Sequence, residues 1–393
     1  MITTGVTGGG WRASVTEWGA VEPWDGGPTL DWCVAADDRW HVPSTEAGVR
    51  QQRLGGTAVV ATRLRIPQGE AIQRVYSVAD SGGLTIVEVE NASPLPIAVA
   101  VTRGDVLTAI PPTASIAGIE LPPGSIVLPV GHRSTVRLAL AHDGRGRGVL
   151  PPGLPDAPAV VRGWSTVTER AGRLTLPEGE RAAQIAAVRC ELSLNGPEVP
   201  DDDPVGFLLG VGQLVRMGEH ADEWVPDVAF ALELLARSSV RDWTVEAAID
   251  AAAVVLRAAD EARAVRDLAA MRATLVRPGP LPSTDPEHPA RLVAWLERRL
   301  VAPDAGSTVL LGAGFPESWL GVDFEVHGLP TDSGGTLSYA VRWHGRRPAV
   351  LWEQVGPPTV LRAPIAGADW RTGDERGEAL WPEPSTALGG VTR

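Results

Sequence analysis

Between Gly10 and about Asn195 the chain alternates apolar and polar positions in short runs separated by Pro/Gly turns, the period-two signature of half-buried strands. In "TAVVATRLRI", Ala58, Val60, Thr62, Leu64 and Ile66 fall on one face, and Arg63 and Arg65 on the other. Val87 and Val89 oppose Glu88 and Glu90 in "LTIVEVEN", and Val136, Leu138 and Leu140 oppose Arg137 in "STVRLAL". Ile97, Val99 and Val101 align in "PIAVAVT". "AAVRCELSL" reads the same way, with Val188, Cys190, Leu192 and Leu194 on one face. With no helical pattern between the runs, they predict a large antiparallel β-sandwich over residues 10–200.

The apolar spacing then becomes helical. In "PDDDPVGFLLGVGQLVRMG", Asp203 is placed to cap a helix and Pro204 to occupy its first position. Val245, Ile249, Ala252 and Leu256 form one stripe, and Val265, Leu268 and Leu275 another. About five helices are predicted over residues 201–302, with the Pro-rich link "RPGPLPSTDPEHP" before the last. Strand patterns return in "STVLL", "DFEVHGL", "GTLSYAVRWHG", "AVLWEQV" and "TVLRAPI" and predict a smaller C-terminal β-sandwich over residues 303–385. The expected fold class is α+β and multidomain, in the order β, α, β.

One hairpin concentrates polar and aromatic residues. In "TLSYAVRWH", Leu337, Tyr339, Val341 and Trp343 share an apolar face, and Ser338, Ala340, Arg342 and His344 the other. "HGRRP" reads as the turn, and in "AVLWEQ" Val350 and Trp352 point one way, Leu351 and Glu353 the opposite way. Trp343 and Trp352 are therefore expected inside, with Glu353 facing Arg342 across the hairpin as its ion-pair partner.

Composition narrows the chemistry. A length of 393 residues suggests two or three domains, and the hydrophobic share of 44% supplies a sizeable core. A net charge of −13 argues against a nucleic-acid partner. All 35 Lys+Arg positions are arginine. Without lysine there is no internal Schiff base, no Walker-type phosphate lysine and no kinase-type ATP lysine. Cys33 and Cys190 lack partners at metal-ligand spacing. Gly312 and Gly314 in "STVLLGAGFPESW" are followed by Pro316 and a strand rather than a helix, unlike a dinucleotide loop. Neither a GxSxG elbow nor an HExxH zinc helix occurs. No metal and no cofactor is expected. "MITTGVTGGGW" lacks a charged n-region and an apolar h-region, and no apolar run spans a bilayer, so the expectation is a cytoplasmic protein without a membrane partner.

Tryptophan is over-used: 14, against 2 tyrosines and 4 phenylalanines. Ten of them lie near the two ends: Trp11, Trp18, Trp24, Trp32 and Trp40, then Trp319, Trp343, Trp352, Trp370 and Trp381. Indole faces stack on pyranose rings while carboxylates and guanidiniums bond the hydroxyls. That chemistry nominates Trp24, Asp25, Trp40, His41, His344 and Arg346 as ligand residues, with an oligo- or polysaccharide as partner. The competing reading is that indoles fill the core in place of phenylalanine. For hydrolysis, Glu325 or Glu353 would act as acid or base opposite Asp38 or Asp323, two carboxylates about 5–9 Å apart.

The segments "EAIQRVYSVADSGGLTIVEVENASPLPIAVAVT" and "GTLSYAVRWHGRRPAVLWE" resemble, respectively, the N-terminal sandwich strands and a C-terminal β-domain hairpin of bacterial α/α-barrel glycoside hydrolases, the glucoamylase-, phosphorylase- and rhamnosidase-like groups, including actinobacterial proteins. The resemblance implies a β-sandwich, a helical barrel and a second β-domain. A complete barrel needs far more helices than are predicted here, and no acid/base motif is matched, so the layout is carried over without catalytic residues. The function expected is therefore a non-catalytic carbohydrate-related protein, glycan-binding or accessory. Two alternatives stand beside it: an active glycoside hydrolase, and a scaffold whose Ala-rich helices mediate homo-oligomerisation or docking.

Overall fold

The computed structural model describes residues 1–113, 118–276, 279, 281–304 and 306–384. Among the described residues the chain forms seven α-helices and 23 β-strands in several sheets, a mixed α+β protein. It divides into two compact units: residues 1–165 with 193–195, and residues 166–192 with 196–393. Arg277, Pro278 and Pro280 of the Pro-rich link, and Ser385 at the end of the predicted C-terminal domain, lie outside the described residues.

In the first unit, β1 (Ile2–Gly5), β2 (Arg12–Val15) and β3 (Val21–Pro23) form a three-stranded sheet. A four-stranded sheet uses β4 (Trp32–Ala35), β5 (Trp40–His41), β10 (Ile97–Val101) and β12 (Ile126–Val130). A seven-stranded sheet uses β6 (Arg50–Arg53), β7 (Val60–Ile66), β8 (Gly69–Val78), β9 (Leu84–Asn91), β11 (Leu107–Thr108), β13 (Thr135–Ala141) and β14 (Gly148–Val149). All three sheets contribute to one core, in which Val15, Val60, Leu64, Val87, Val89, Val99 and Leu138 meet. The alternation read from the sequence is the physical cause: Val60, Thr62, Leu64 and Ile66 are buried, while Arg65 is exposed. Glu88 departs from the pattern. It lies on the face opposite Val87 and Val89 yet is buried, held by Arg74 at 3.1 Å and Arg137 at 2.8 Å from the neighbouring strands.

Two helices interrupt the region 10–200 that the sequence reads as strands throughout. α1 (Ala157–Thr168) begins where Asp156 accepts from the Ala159 N–H at 2.8 Å, and α2 (Gly179–Asn195) contains Cys190. The strand reading of "AAVRCELSL" is therefore corrected. Its alternating residues are only half used, with Cys190 and Leu194 buried but Val188 and Leu192 partly exposed. The buried set, Ile185, Arg189, Cys190 and Leu194, falls at i, i+4, i+5 and i+9, one face of a helix, and Ala, Arg, Glu and Leu all favour helix.

The rest of the second unit pairs helices with two sheets. α3 (Pro204–Met217) is capped as the sequence indicates, Asp203 accepting from the Gly206 N–H at 2.9 Å. α4 (Val225–Arg237), α5 (Trp243–Ala258), α6 (Ala262–Leu275) and α7 (Pro289–Leu300) follow. Val245, Ile249, Ala252 and Leu256 are buried within this unit, so the Ala-rich stripe serves its own core. Gly212 on α3 permits the approach of α5, since a Cβ there would lie 2.9 Å from that of Ala251. β15 (Arg173–Thr175), β18 (Phe324–Pro330), β19 (Thr336–His344), β20 (Arg347–Val355) and β23 (Arg376–Leu380) form one sheet. β16 (Val301–Asp304), β17 (Ser307–Leu310), β21 (Val360–Arg362) and β22 (Arg371–Thr372) form the other, and both sheets feed one core.

The β19–β20 hairpin closes with His344 opposite Arg347. Gly345 has φ +63°, the positive dihedral that a two-residue hairpin turn requires. Trp352 is buried and Trp343 half-buried, and both pack on the unit's core, while Leu351 and Glu353 face outward. No described helix is long and apolar enough to cross a membrane.

Candidate functional site

The four nominated carboxylates do not converge. Asp38 lies in the first unit; Asp323, Glu325 and Glu353 lie in the second. Asp38 accepts from His41 Nε2 at 3.0 Å, and that bond holds its carboxyl below the usual range. Glu325 takes His327 at 2.9 Å and also binds Arg342; the His327 bond first and the Arg342 bond second keep its carboxyl low. A general acid at neutral pH needs the opposite shift. Asp323 is used as a cap, accepting from the Trp343 N–H at 3.0 Å. Glu353 is exposed, with Arg376 at 3.9 Å. Arg342 pairs with Glu325 on β18 rather than with Glu353, because register places Arg342 opposite Ala349 on β20 and leaves Glu353 opposite Ser338. Glu325 and Glu353 share a sheet face but have all of β19 between them. Among the described residues, the carboxyls that burial pushes upward are Asp31 and Glu219, which belong to different units.

The nominated ligand residues separate too. His344 is exposed at the hairpin end, and Arg346 is exposed with Glu383 at 3.0 Å; both are in the second unit. Trp40 is half-buried against Cys33, Ala100 and Val127. His41 is buried, its ring held between Asp38 and, at 3.1 Å, Glu46. Four of the ten terminal indoles, Trp32, Trp319, Trp352 and Trp381, are buried, and Trp11, Trp18, Trp40, Trp343 and Trp370 are half-buried. Trp352, Trp370 and Trp381 form an edge-to-face series with ring centroids 5.7 and 5.3 Å apart.

Trp24 differs. It follows β3 and keeps 54% of its surface exposed. Its Nε1 donates to Ser14 Oγ at 2.8 Å, and its N–H to the Arg12 carbonyl at 3.0 Å, so ring and backbone are both held by β2. Asp25 accepts from the Gly27 N–H at 2.9 Å through Oδ1 and acts electrostatically on His142. His142 in turn stacks on Trp11, centroids 4.1 Å apart, and bonds Thr85 Oγ1 at 2.9 Å. The surface therefore offers a pinned indole, a carboxylate and a stacked Trp–His pair.

Burial lowers the His142 pKa to about 4, against the opposing pull of Asp143. The unfolded chain binds this proton near pH 6.5. Stability from neutral His142 is thus complete above that pH and is lost as pH falls toward 4. The ring is only half buried, so the loss by pH 5 is discounted to about 1 kcal/mol. The drop in urea midpoint of the first unit from pH 7 to pH 5 is expected to shrink in His142→Gln. An unchanged drop would show that His142 stays solvated.

A further feature escapes the strand-and-motif reading. α3, α5, α6 and α7, with the start of β16 and the end of β18, enclose a cavity of about 260 Å³ in the second unit. Its wall is apolar apart from Arg257, Thr331, Asp332 and two ion-pair networks. In one, Glu297 accepts from Arg189 and Arg216, both at 2.7 Å, and from Gln213 at 3.2 Å. In the other, Arg272 and Arg298 straddle Glu246 at 2.6 and 2.8 Å, and both also bind Asp250. The available signal was charge on apolar helical stripes: Glu297 falls between Val293 and Leu300, and Arg298 continues Ala290 and Ala294.

No known family model matches the chain, and no curated protein matches it significantly.

Proposed function

We propose that the chain is a non-catalytic carbohydrate-binding protein on a reduced glycoside-hydrolase-like layout. The sheets of the first unit are read as a large N-terminal β-sandwich and those of the second as a smaller C-terminal one. Saccharide binds on the first unit at Trp24. The observation that carries this reading is the pinned, half-exposed Trp24 ring beside Asp25, a preorganised stacking platform with a hydrogen-bonding carboxylate. The dispersal of Asp38, Asp323, Glu325 and Glu353 supports the absence of hydrolysis.

Titration of the full chain with a panel of α- and β-linked oligosaccharides, followed by calorimetry, tests it. Trp24→Ala is expected to weaken the saccharide that binds by roughly 30-fold, since loss of a stacked Trp costs about 2 kcal/mol. Release of nitrophenol from nitrophenyl glycosides, lost in Glu325→Gln, would defeat the non-catalytic reading. Binding untouched by Trp24→Ala would defeat the placement of the site.

A further inference from the structure

The helical cavity belongs to the second unit and has no part in saccharide binding at Trp24. Leu209 of α3, Ile249 and Val254 of α5, Val265 and Leu268 of α6 and Leu329 of β18 supply its apolar wall. Its volume, about 260 Å³, exceeds the roughly 150 Å³ that accommodates a benzene ring. Close-packed interiors hold few voids larger than a water molecule, and an apolar wall gives water few partners. Arg257 and Ala269 are the exposed members of the wall, so the cavity opens to solvent beside them.

A square of charges holds the space open. Arg272 comes from α6, Arg298 from α7, and Glu246 and Asp250 from α5. Arg272 places one terminal nitrogen on Glu246 Oε1 at 2.6 Å and the other on Asp250 Oδ1. Arg298 does the same with Glu246 Oε2 at 2.8 Å and Asp250 Oδ2. All four carboxylate oxygens and all four terminal nitrogens are thereby engaged. The square ties α6 and α7 to α5 and restrains α6 from closing over the void.

The wall also leaves no polar group waiting for a ligand. Glu297 holds Arg189 on Oε1, and Arg216 and Gln213 on Oε2. The other Arg189 donors reach Gln213 and the carbonyls of Thr168, Ala171 and Gly172. Arg298 Nε lacks an acceptor but exposes essentially no surface to one. Arg257 is exposed, and its Nη2 donates to the Asp332 carbonyl at 3.1 Å. An ionic ligand would lose its hydration here without gaining a free partner, whereas an uncharged apolar one gives up little.

We propose that this cavity binds one uncharged apolar small molecule, a hydrocarbon ring or chain larger than benzene carrying at most a terminal hydroxyl. The apolar body packs between α5 and α6 and against Leu329. The hydroxyl end lies at the mouth beside Arg257, where solvent serves it.

Octan-1-ol is the probe, with octanoate and octylammonium as its charged counterparts, titrated by calorimetry into the full chain at pH 7. Octanol is expected to bind at 1:1 and at least 10-fold more tightly than either ion. Ala253→Phe fills the cavity from α5 and Val265→Phe from α6, neither touching a charge. Each is expected to weaken octanol at least 10-fold with far-UV circular dichroism unchanged, and a variant that fails to fold leaves the other to decide. Trp24→Ala is expected to leave octanol binding unchanged, which separates the cavity from the saccharide surface. No octanol binding, an ion bound as tightly as octanol, octanol binding unchanged in a folded filled variant, or octanol binding lost in Trp24→Ala overturns the proposal.

Discussion

Glu297→Gln is expected to destabilise the second unit by about 3–5 kcal/mol, the range for removing one partner of a buried ion pair. Arg189 is almost wholly buried, and burial pushes its guanidinium down to about 10 against the pull of Glu297. It also donates to the carbonyls of Thr168 at 2.9 Å, Gly172 at 2.6 Å and Ala171 at 3.1 Å. Those carbonyls satisfy its hydrogens but do not neutralise its charge. Glutamine preserves the volume of Glu297 and leaves Arg189 and Arg216 facing each other without their shared carboxylate. Urea unfolding followed by far-UV circular dichroism at pH 7 measures the loss. Glu353→Gln is the control: its carboxylate is exposed with a partner 3.9 Å away, and the change should stay within about 0.5 kcal/mol. A Glu297→Gln loss no larger than the control would mean that other groups carry the charge of Arg189.

Trp381→Ala should cost the same unit a further large increment, about 3–5 kcal/mol. The ring is 1% exposed and meets Trp370 edge to face in the core shared by the two sheets. Its backbone N–H donates to the Pro348 carbonyl at 2.9 Å, tying it to the hairpin, and that bond survives substitution. The side-chain donor tells a different story: Trp381 Nε1 is buried without an acceptor. Trp381→Phe removes this orphan donor while keeping an aromatic ring against Trp370. Its cost is therefore expected to be less than half that of Trp381→Ala, because the lost volume is offset by the relieved donor. Midpoints from the same urea titrations decide it; equal costs for Phe and Ala would mean that the indole makes contacts phenylalanine cannot replace.

Local pattern was readable wherever one face of an element meets the core and the other meets water. Val60–Ile66, Thr336–His344 and the Asp203 cap follow directly, because period and capping chemistry depend on near neighbours alone. The reading failed at "AAVRCELSL", where small residues satisfy a period of two and of 3.6 equally, and the buried Arg189 was indistinguishable from a surface arginine. It failed again for the Arg342 ion pair, since register with two neighbouring strands, not position within one hairpin, selects Glu325 over Glu353. Among the tryptophans, type alone left core and surface unresolved: Trp32 is fully buried and Trp24 is half exposed, yet both stand beside an aspartate in sequence.

By itself the sequence determined the mixed strand and helix content, the hairpin with Gly345 at its turn, and the exclusion of lysine-based chemistry. Each rests on covalent identity or on short-range periodicity. Tertiary structure alone decided which carboxylates meet, which indoles see solvent, and that Arg216, Arg257, Arg272 and Arg298 line one cavity. These are long-range juxtapositions, from α3 near residue 216 to α7 near residue 298, and no local pattern encodes the distance between two helix faces that only packing brings together.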